Sequence, residues 1–222
     1  MSRVHPYQPV LLRMLHGIAA VLLFLALISG FLIYNMYDKR WGSLTLPTIG
    51  DIQGIHGTIA LTFLLCLPVF ALYSFHIGYR RLIGEQSFSQ LKQLGKPVWW
   101  ISLHRFANTL MLLAATFAVV SGRMMKEEWL PAGEIHRPWY LAHLAAWVCV
   151  FISLAFHLLM GAKVGGIPLL ISMFHWKIRS EDTLTSWHQG VTIKHSSLVL
   201  RVLESIVIGG IMMAFLLPVF NA

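Results

Sequence analysis

Four stretches of this sequence, roughly 11–34, 52–76, 98–124 and 139–163, each run for more than twenty residues with scarcely a charge. A helix needs about 20 mostly apolar residues to cross about 30 Å of hydrocarbon, and a backbone inside lipid has to satisfy its own hydrogen bonds. The four runs are therefore read as transmembrane helices. A fifth run, 198–220, carries Arg201 and Glu204 in its first turns, which leaves a strictly apolar core near the lower length limit. It reads as a fifth, C-terminal membrane helix, with a helix lying in the interface as its alternative. The expected fold is all-α, an integral membrane four-helix bundle with that fifth helix added, forming one membrane domain over residues 1–222. With 57% of residues hydrophobic and 12% charged, the chain has too little polar surface for a water-soluble domain.

The charges mark loops. Placing the N-terminus in the cytoplasm puts Arg3, Arg13, Arg80, Arg81, Lys92, Lys96, Arg105, Lys163, Lys177, Arg179, Lys194 and Arg201 inside, and leaves Lys39, Arg40, Arg123, Lys126 and Arg137 outside. That is twelve of the 17 basic residues against five, and the positive-inside rule then selects this orientation. The basic balance is thus a topology signal, and with no soluble domain to gather those cations on a water-facing surface a nucleic-acid partner is not expected. Seven of the eight tryptophans (Trp41, Trp99, Trp100, Trp129, Trp139, Trp176 and Trp187) fall at or beyond the span ends, where an interfacial aromatic belt belongs, and Trp147 alone lies within one. Cys66 and Cys149 sit in apolar runs and suggest neither a disulfide framework nor a zinc site. The apolar run after the first residues is too long for a signal peptide and reads as a retained first span. The stretch 164–197, too polar to span and containing Gly165, Gly166 and Pro168, is expected to lie along the inner membrane surface.

Eleven histidines in so apolar a chain call for an explanation, since a polar ring in hydrocarbon is costly without a partner. His5, His136, His175, His188 and His195 fall in loops or at the interface, and His76 and His104 near the inner ends of their spans. His16, His56, His143 and His157 remain. His143 and His157 are fourteen residues apart on one span, about 40° from a whole number of turns and separated by about 21 Å of rise, so both face one side at two depths. The first span presents His16 near its inner end and the second presents His56 near its outer end. Depth pairs His16 with His157 inside and His56 with His143 outside. Two level pairs of imidazoles are what two b-type haems need, one nitrogen ligand on each face of each six-coordinate iron. His76, twenty residues after His56, is rotated by about 200° and should not face this interior. Gly30, fourteen positions after His16, falls at the outer level where a bulky side chain would obstruct a macrocycle, while Gly17 and Gly57 adjoin ligand positions. For any one of these glycines taken singly, ordinary helix packing through small residues is the simpler account.

The motifs LLRMLHG in the first span, IHGTIAL in the second and LAHLAAWVCVFISLAFHLL in the fourth resemble the prokaryotic cytochrome b561 family and the related cytochrome b subunits of nickel hydrogenases and formate dehydrogenases, over about residues 7–174. Short cyanobacterial members are similar. The resemblance implies a four-helix bundle with two haem b groups ligated by His16, His56, His143 and His157, the same four that the spacing selects. The chain from Val164 onward, with the fifth span, departs from that four-helix unit.

The expected function is that of a di-haem b-type cytochrome moving electrons across a bacterial plasma membrane or thylakoid membrane. A quinone or quinol is expected as one partner and a redox protein or larger complex as the other. Such a chain is an electron-transfer protein or a quinone-linked oxidoreductase. Arg13 inside and Arg123 outside are candidate haem contacts, with Arg105, Lys163 and Lys126 as further cations near the two levels. Against each stands plain loop charge or snorkelling. His104 and Arg105, beside Trp99 and Trp100, are candidates for a quinone pocket near the inner haem. Two other functions fit parts of the pattern: a haem-bearing membrane anchor of a larger dehydrogenase or photosynthetic complex, and a transition-metal transporter whose membrane histidines bind the ion.

Overall fold

The computed structural model describes residues 8–174 and 197–220, together with 178, 182 and 191. It is all-helical among these, with α1 (Val10–Tyr37), α2 (Ile52–His76), a single 3-10 turn (Tyr79–Arg81), α3 (Glu85–Leu91), α4 (Pro97–Arg123), α5 (Pro138–Ser172) and α6 (Leu198–Phe220). Five of them, all but α3, are long and apolar enough to cross a membrane. The segment 198–220, whose polar first turns left an interfacial helix open, is one of the five. His5, His175, His188, His195, Trp176 and Trp187 lie outside the described residues.

Local chemistry sets the helix starts. Pro97 and Pro138 occupy the first turns of α4 and α5, where a missing N–H costs nothing. Asp51 caps α2, its carboxylate accepting from the Gly54 N–H at 3.2 Å. The fourth long span ends close to the expected 163, at a break at Gly166 (φ +68°, ψ −174°) that a residue bearing a Cβ would adopt only under strain, and a short helical segment follows it to Ser172. Beyond the break the chain doubles back. Leu170 Cδ2 comes within 3.2 Å of where a Cβ on Gly161 would sit, far closer than a straight helix allows for residues nine apart. Glycine and proline thus turn the helix where the surface segment is expected to begin, and the short apolar stretch up to Ser172 folds back toward it.

Because every span is apolar all round, hydrophobicity does not separate the lipid face from the bundle face. Small and polar residues mark part of the bundle face, beside large apolar side chains such as Leu64, Leu67 and Phe75. Val21, Phe24, Leu65, Val69, Phe151 and Ile152 point outward, while Ala71, Ala107, Ala115, Ser102, Ser121 and Ser153 are buried. Small residues let helix backbones approach closely where lipid offers no hydrophobic drive to association. Two of these buried serines satisfy their hydroxyls on their own helices: Ser121 bonds the carbonyl of Phe117 at 2.8 Å, and Ser153 that of Cys149.

α1 packs along α2 and α4 along α5, but the two hairpins meet each other only briefly. α6 lies against α4 and α2, in the seam between the hairpins. Several specific contacts hold it there. Val207, Ile211 and Ala214 are buried against the bundle. Glu204 pairs with His76 Nε2 at 2.7 Å, and Arg123 Nε donates to the Ala214 carbonyl at 3.3 Å. At the start of the helix the Leu198 N–H donates to the Glu85 carboxylate at 2.9 Å. His76 therefore turns away from the histidine-lined interior toward α6.

Polar ties close both ends. At one end, the fully buried carboxylate of Asp38 accepts from Arg40 Nε at 2.8 Å and from the Tyr140 hydroxyl at 2.6 Å, joining the end of α1 to the start of α5. At the other end, the Ile83 N–H donates to Thr109 Oγ1 at 2.9 Å and Ser102 Oγ to Gln90 Oε1 at 2.7 Å, fastening the 77–96 connection to α4.

Adjacent glycines of α6 test the seam. A Cβ on Gly210 would stand 2.7 Å from Thr116 Cγ2, whereas one on Gly209 would meet no atom within 4 Å. Gly210→Leu is expected to destabilise the protein by about 1–3 kcal/mol through overpacking. Gly209→Leu should leave the thermal transition in detergent, followed by circular dichroism, nearly unchanged.

Candidate cofactor site

α5 supplies two inward-facing histidines, and the first hairpin brings one partner to each. The His16 and His157 rings lie 6.0 Å apart between centroids with their planes at 34°. The His56 and His143 rings lie 6.1 Å apart at 80°. Both pairs bridge the gap between hairpins, where backbone contact is sparse.

Hydrogen bonds determine which nitrogen each ring presents. His143 Nδ1 lies 2.9 Å from the carbonyl of Ala118, which only accepts, so Nδ1 carries the proton. Ser121 Oγ, 3.2 Å from the same nitrogen, has its own proton directed to Phe117. Ser29 Oγ donates to the Leu25 carbonyl at 2.8 Å, and its oxygen therefore accepts from His56 Nδ1, also at 2.8 Å. Asn108 Nδ2 donates to the Arg81 carbonyl at 2.9 Å, which turns Asn108 Oδ1 toward His157 Nδ1 at 2.7 Å. In all three rings Nδ1–H is the donor, so Nε2 keeps its lone pair. A metal-binding histidine is commonly held in this way, with one nitrogen bonded to the protein and the other facing the metal.

The surroundings differ at the two levels. Around His56 and His143 lies a cavity of about 760 Å³, within the range of small-molecule and cofactor sites. Its walls include Gly30, Gly57, Ala60, Ala115, Ala118 and Gly122. A Cβ on Gly30 would stand 3.1 Å from the Trp147 ring and 3.5 Å from His56, and one on Gly122 would stand 3.2 Å from His143. Trp147 is held against α1 by its Nε1–H, which donates to the Leu27 carbonyl at 3.0 Å. Arg123 and Lys126 border the cavity toward the outer end. At the inner level the His104 ring lies 5.3 Å from that of His157, and its buried Nε2 has no hydrogen-bond partner among the described residues. Arg105 follows His104 by about 100° around the helix. Arg13 is buried one turn before His16, and Lys163 lies over the Trp100 ring at 4.9 Å. A Cβ on Gly17 would meet no atom within 4 Å.

The sequence pattern of the prokaryotic cytochrome b561 family matches residues 7–176. The chain belongs to this family. It is an integral membrane b-type cytochrome of electron transfer, and its cofactor is haem b. No curated protein and no solved structure matched the sequence. The match covers all four histidine-bearing positions and stops before α6, so the helix in the seam lies beyond the family unit.

The residues fit the cofactor. Two imidazoles that share a six-coordinate iron through Nε2 place their centroids about 6 Å apart, given metal–nitrogen bonds of about 2.0 Å. The observed separations are 6.0 and 6.1 Å. Ser29, Ser121 and Asn108, which orient the rings, had not been singled out from the sequence. Their only signal there is polarity inside an apolar run, and most membrane serines bond merely to their own helix.

Asn108 joins a buried imidazole to a backbone carbonyl, so its loss strands both. Asn108→Ala is expected to lower stability by about 1–3 kcal/mol, read as an earlier thermal transition in detergent.

Proposed function

We propose that this cytochrome holds two haem b groups, an inner one between His16 and His157 and an outer one between His56 and His143, and relays electrons across the membrane between a quinone or quinol and a second redox partner. The observation that carries this reading is the occurrence of two cross-hairpin imidazole pairs at a spacing that suits a shared iron. Among the described residues no three His, Cys, Asp or Glu side chains converge as a bare metal ion would require, which favours haem over ion transport.

Haem iron, when bound, supplies a centre that accepts and releases single electrons. The chain's own groups do the rest. With His16 and His157, or His56 and His143, holding the iron, no coordination position would remain open, which favours relay over oxygen chemistry. The Nδ1 bonds from Ser29, Ala118 and Asn108 keep Nε2 of three rings deprotonated and aimed. Arg123, with Nε on the Ala214 carbonyl, keeps its terminal nitrogens for a propionate at the outer level, and buried Arg13 serves the inner one. His104, with its unpartnered Nε2 beside His157, is the group available to a quinone oxygen on the inner side, and Arg105 adjoins it. The twelve-to-five basic balance supports a cytoplasmic N-terminus.

Pyridine haemochrome on the purified chain is expected to give two haems b per polypeptide. His16→Ala and His157→Ala should each remove one and the same haem, and His56→Ala and His143→Ala the other. A protein that stays colourless under ample haem supply, or partners that lose different haems, would overturn the assignment. Gly30→Leu, which fills the outer cavity, should lose the haem lost by His56→Ala and keep the other. For the orientation, a cysteine replacing Glu128 should react with an impermeant maleimide added to intact cells, and one replacing Gln86 should not.

A further inference from the structure

The two imidazole pairs differ most in the angle between their rings, 80° at the outer level against 34° at the inner. The outer angle is set by two separate anchors. His143 is fixed from α4, through the Ala118 carbonyl, and no side-chain substitution removes that bond. His56 is fixed from α1, through Ser29 Oγ alone among the described residues. Ser29 is itself buried and locked, since its single proton is spent on the Leu25 carbonyl. One bond at Nδ1 thus determines how far the His56 ring turns about its own side-chain axis. The adjacent Gly30 leaves the ring edge room, with the absent Cβ 3.5 Å from His56 Cε1.

Ring angle has an electronic consequence. In a low-spin ferric porphyrin the iron orbitals that overlap the imidazole π-systems are split when the two rings are near parallel and stay nearly degenerate when they are crossed. The first case gives a rhombic electron paramagnetic resonance spectrum of three resolved lines. The second gives a highly anisotropic spectrum dominated by one low-field feature. We propose that Ser29 is a positioning residue that holds His56 crossed to His143, making the outer haem the highly anisotropic centre and the inner haem the rhombic one. This rests on the two-haem reading, and the haem count of the same sample tells the failure of one from the failure of the other.

The experiment is low-temperature electron paramagnetic resonance of the oxidised full-length chain. Two low-spin signals are expected, with the low-field feature lost in His143→Ala and kept in His16→Ala. Ser29→Ala should move that feature toward the rhombic pattern and leave the inner signal in place, and Ser29→Thr, which restores a hydroxyl, should bring it back. Two haems per chain with a single class of signal would overturn the proposal, as would loss of the low-field feature in His16→Ala or an unchanged spectrum in Ser29→Ala. Should Ser29→Ala fail to accumulate, the comparison of His143→Ala with His16→Ala still decides which level is anisotropic. Fewer than two haems in the wild-type chain would overturn the underlying reading and this proposal with it.

Discussion

An imidazole placed in hydrocarbon has to find a partner for each of its nitrogens, and the arrangement of this bundle follows from meeting that demand. Three of the four paired rings give Nδ1 to an acceptor on a neighbouring helix: His56 to Ser29 on α1, and His143 and His157 to α4. The two pairs of rings lie between the hairpins, with centroids 6.0 and 6.1 Å apart. Haem b held between such rings would make the cofactor part of the contact between hairpins.

α6 bears on the same gap from one side. It lies outside the region the family shares, yet it is anchored on both hairpins, by Glu204 on His76 of α2 and by Gly210 against Thr116 of α4. It also accepts a hydrogen bond from Arg123, a residue that borders the outer cavity. A helix added beyond the shared unit thereby reaches the edge of the cavity around His56 and His143 and adds to the contacts that join the two hairpins.

The two levels are not equivalent. The outer pair sits in a cavity lined by glycine and alanine, with Trp147 pressed against Gly30. The inner pair has a third imidazole, His104, at its side and the returning segment after Gly166 close beneath, where Leu170 reaches Gly161. Gly161 is one turn beyond His157, so the reversal of the chain brings an apolar residue up to the inner site.

Much of this was legible in the sequence, because span length, charge placement and helical periodicity are one-dimensional signals. Spans recognised by length matched the helices to within a few residues, and a fourteen-residue interval on one helix implies two depths on one face whatever surrounds it. The same geometry turned His76 away from the interior before its partner Glu204 was known. Other features depend on which helix lies beside which, and helices that are apolar all round carry no periodic mark of their neighbours. The roles of Ser29, Asn108 and the Ala118 carbonyl, the angle between each pair of rings, and the seam taken by α6 were therefore decided by tertiary structure alone. The return of the chain after Gly166 belongs with them. Glycine and proline announce a break in a helix, but where the chain goes next depends on the surface it finds.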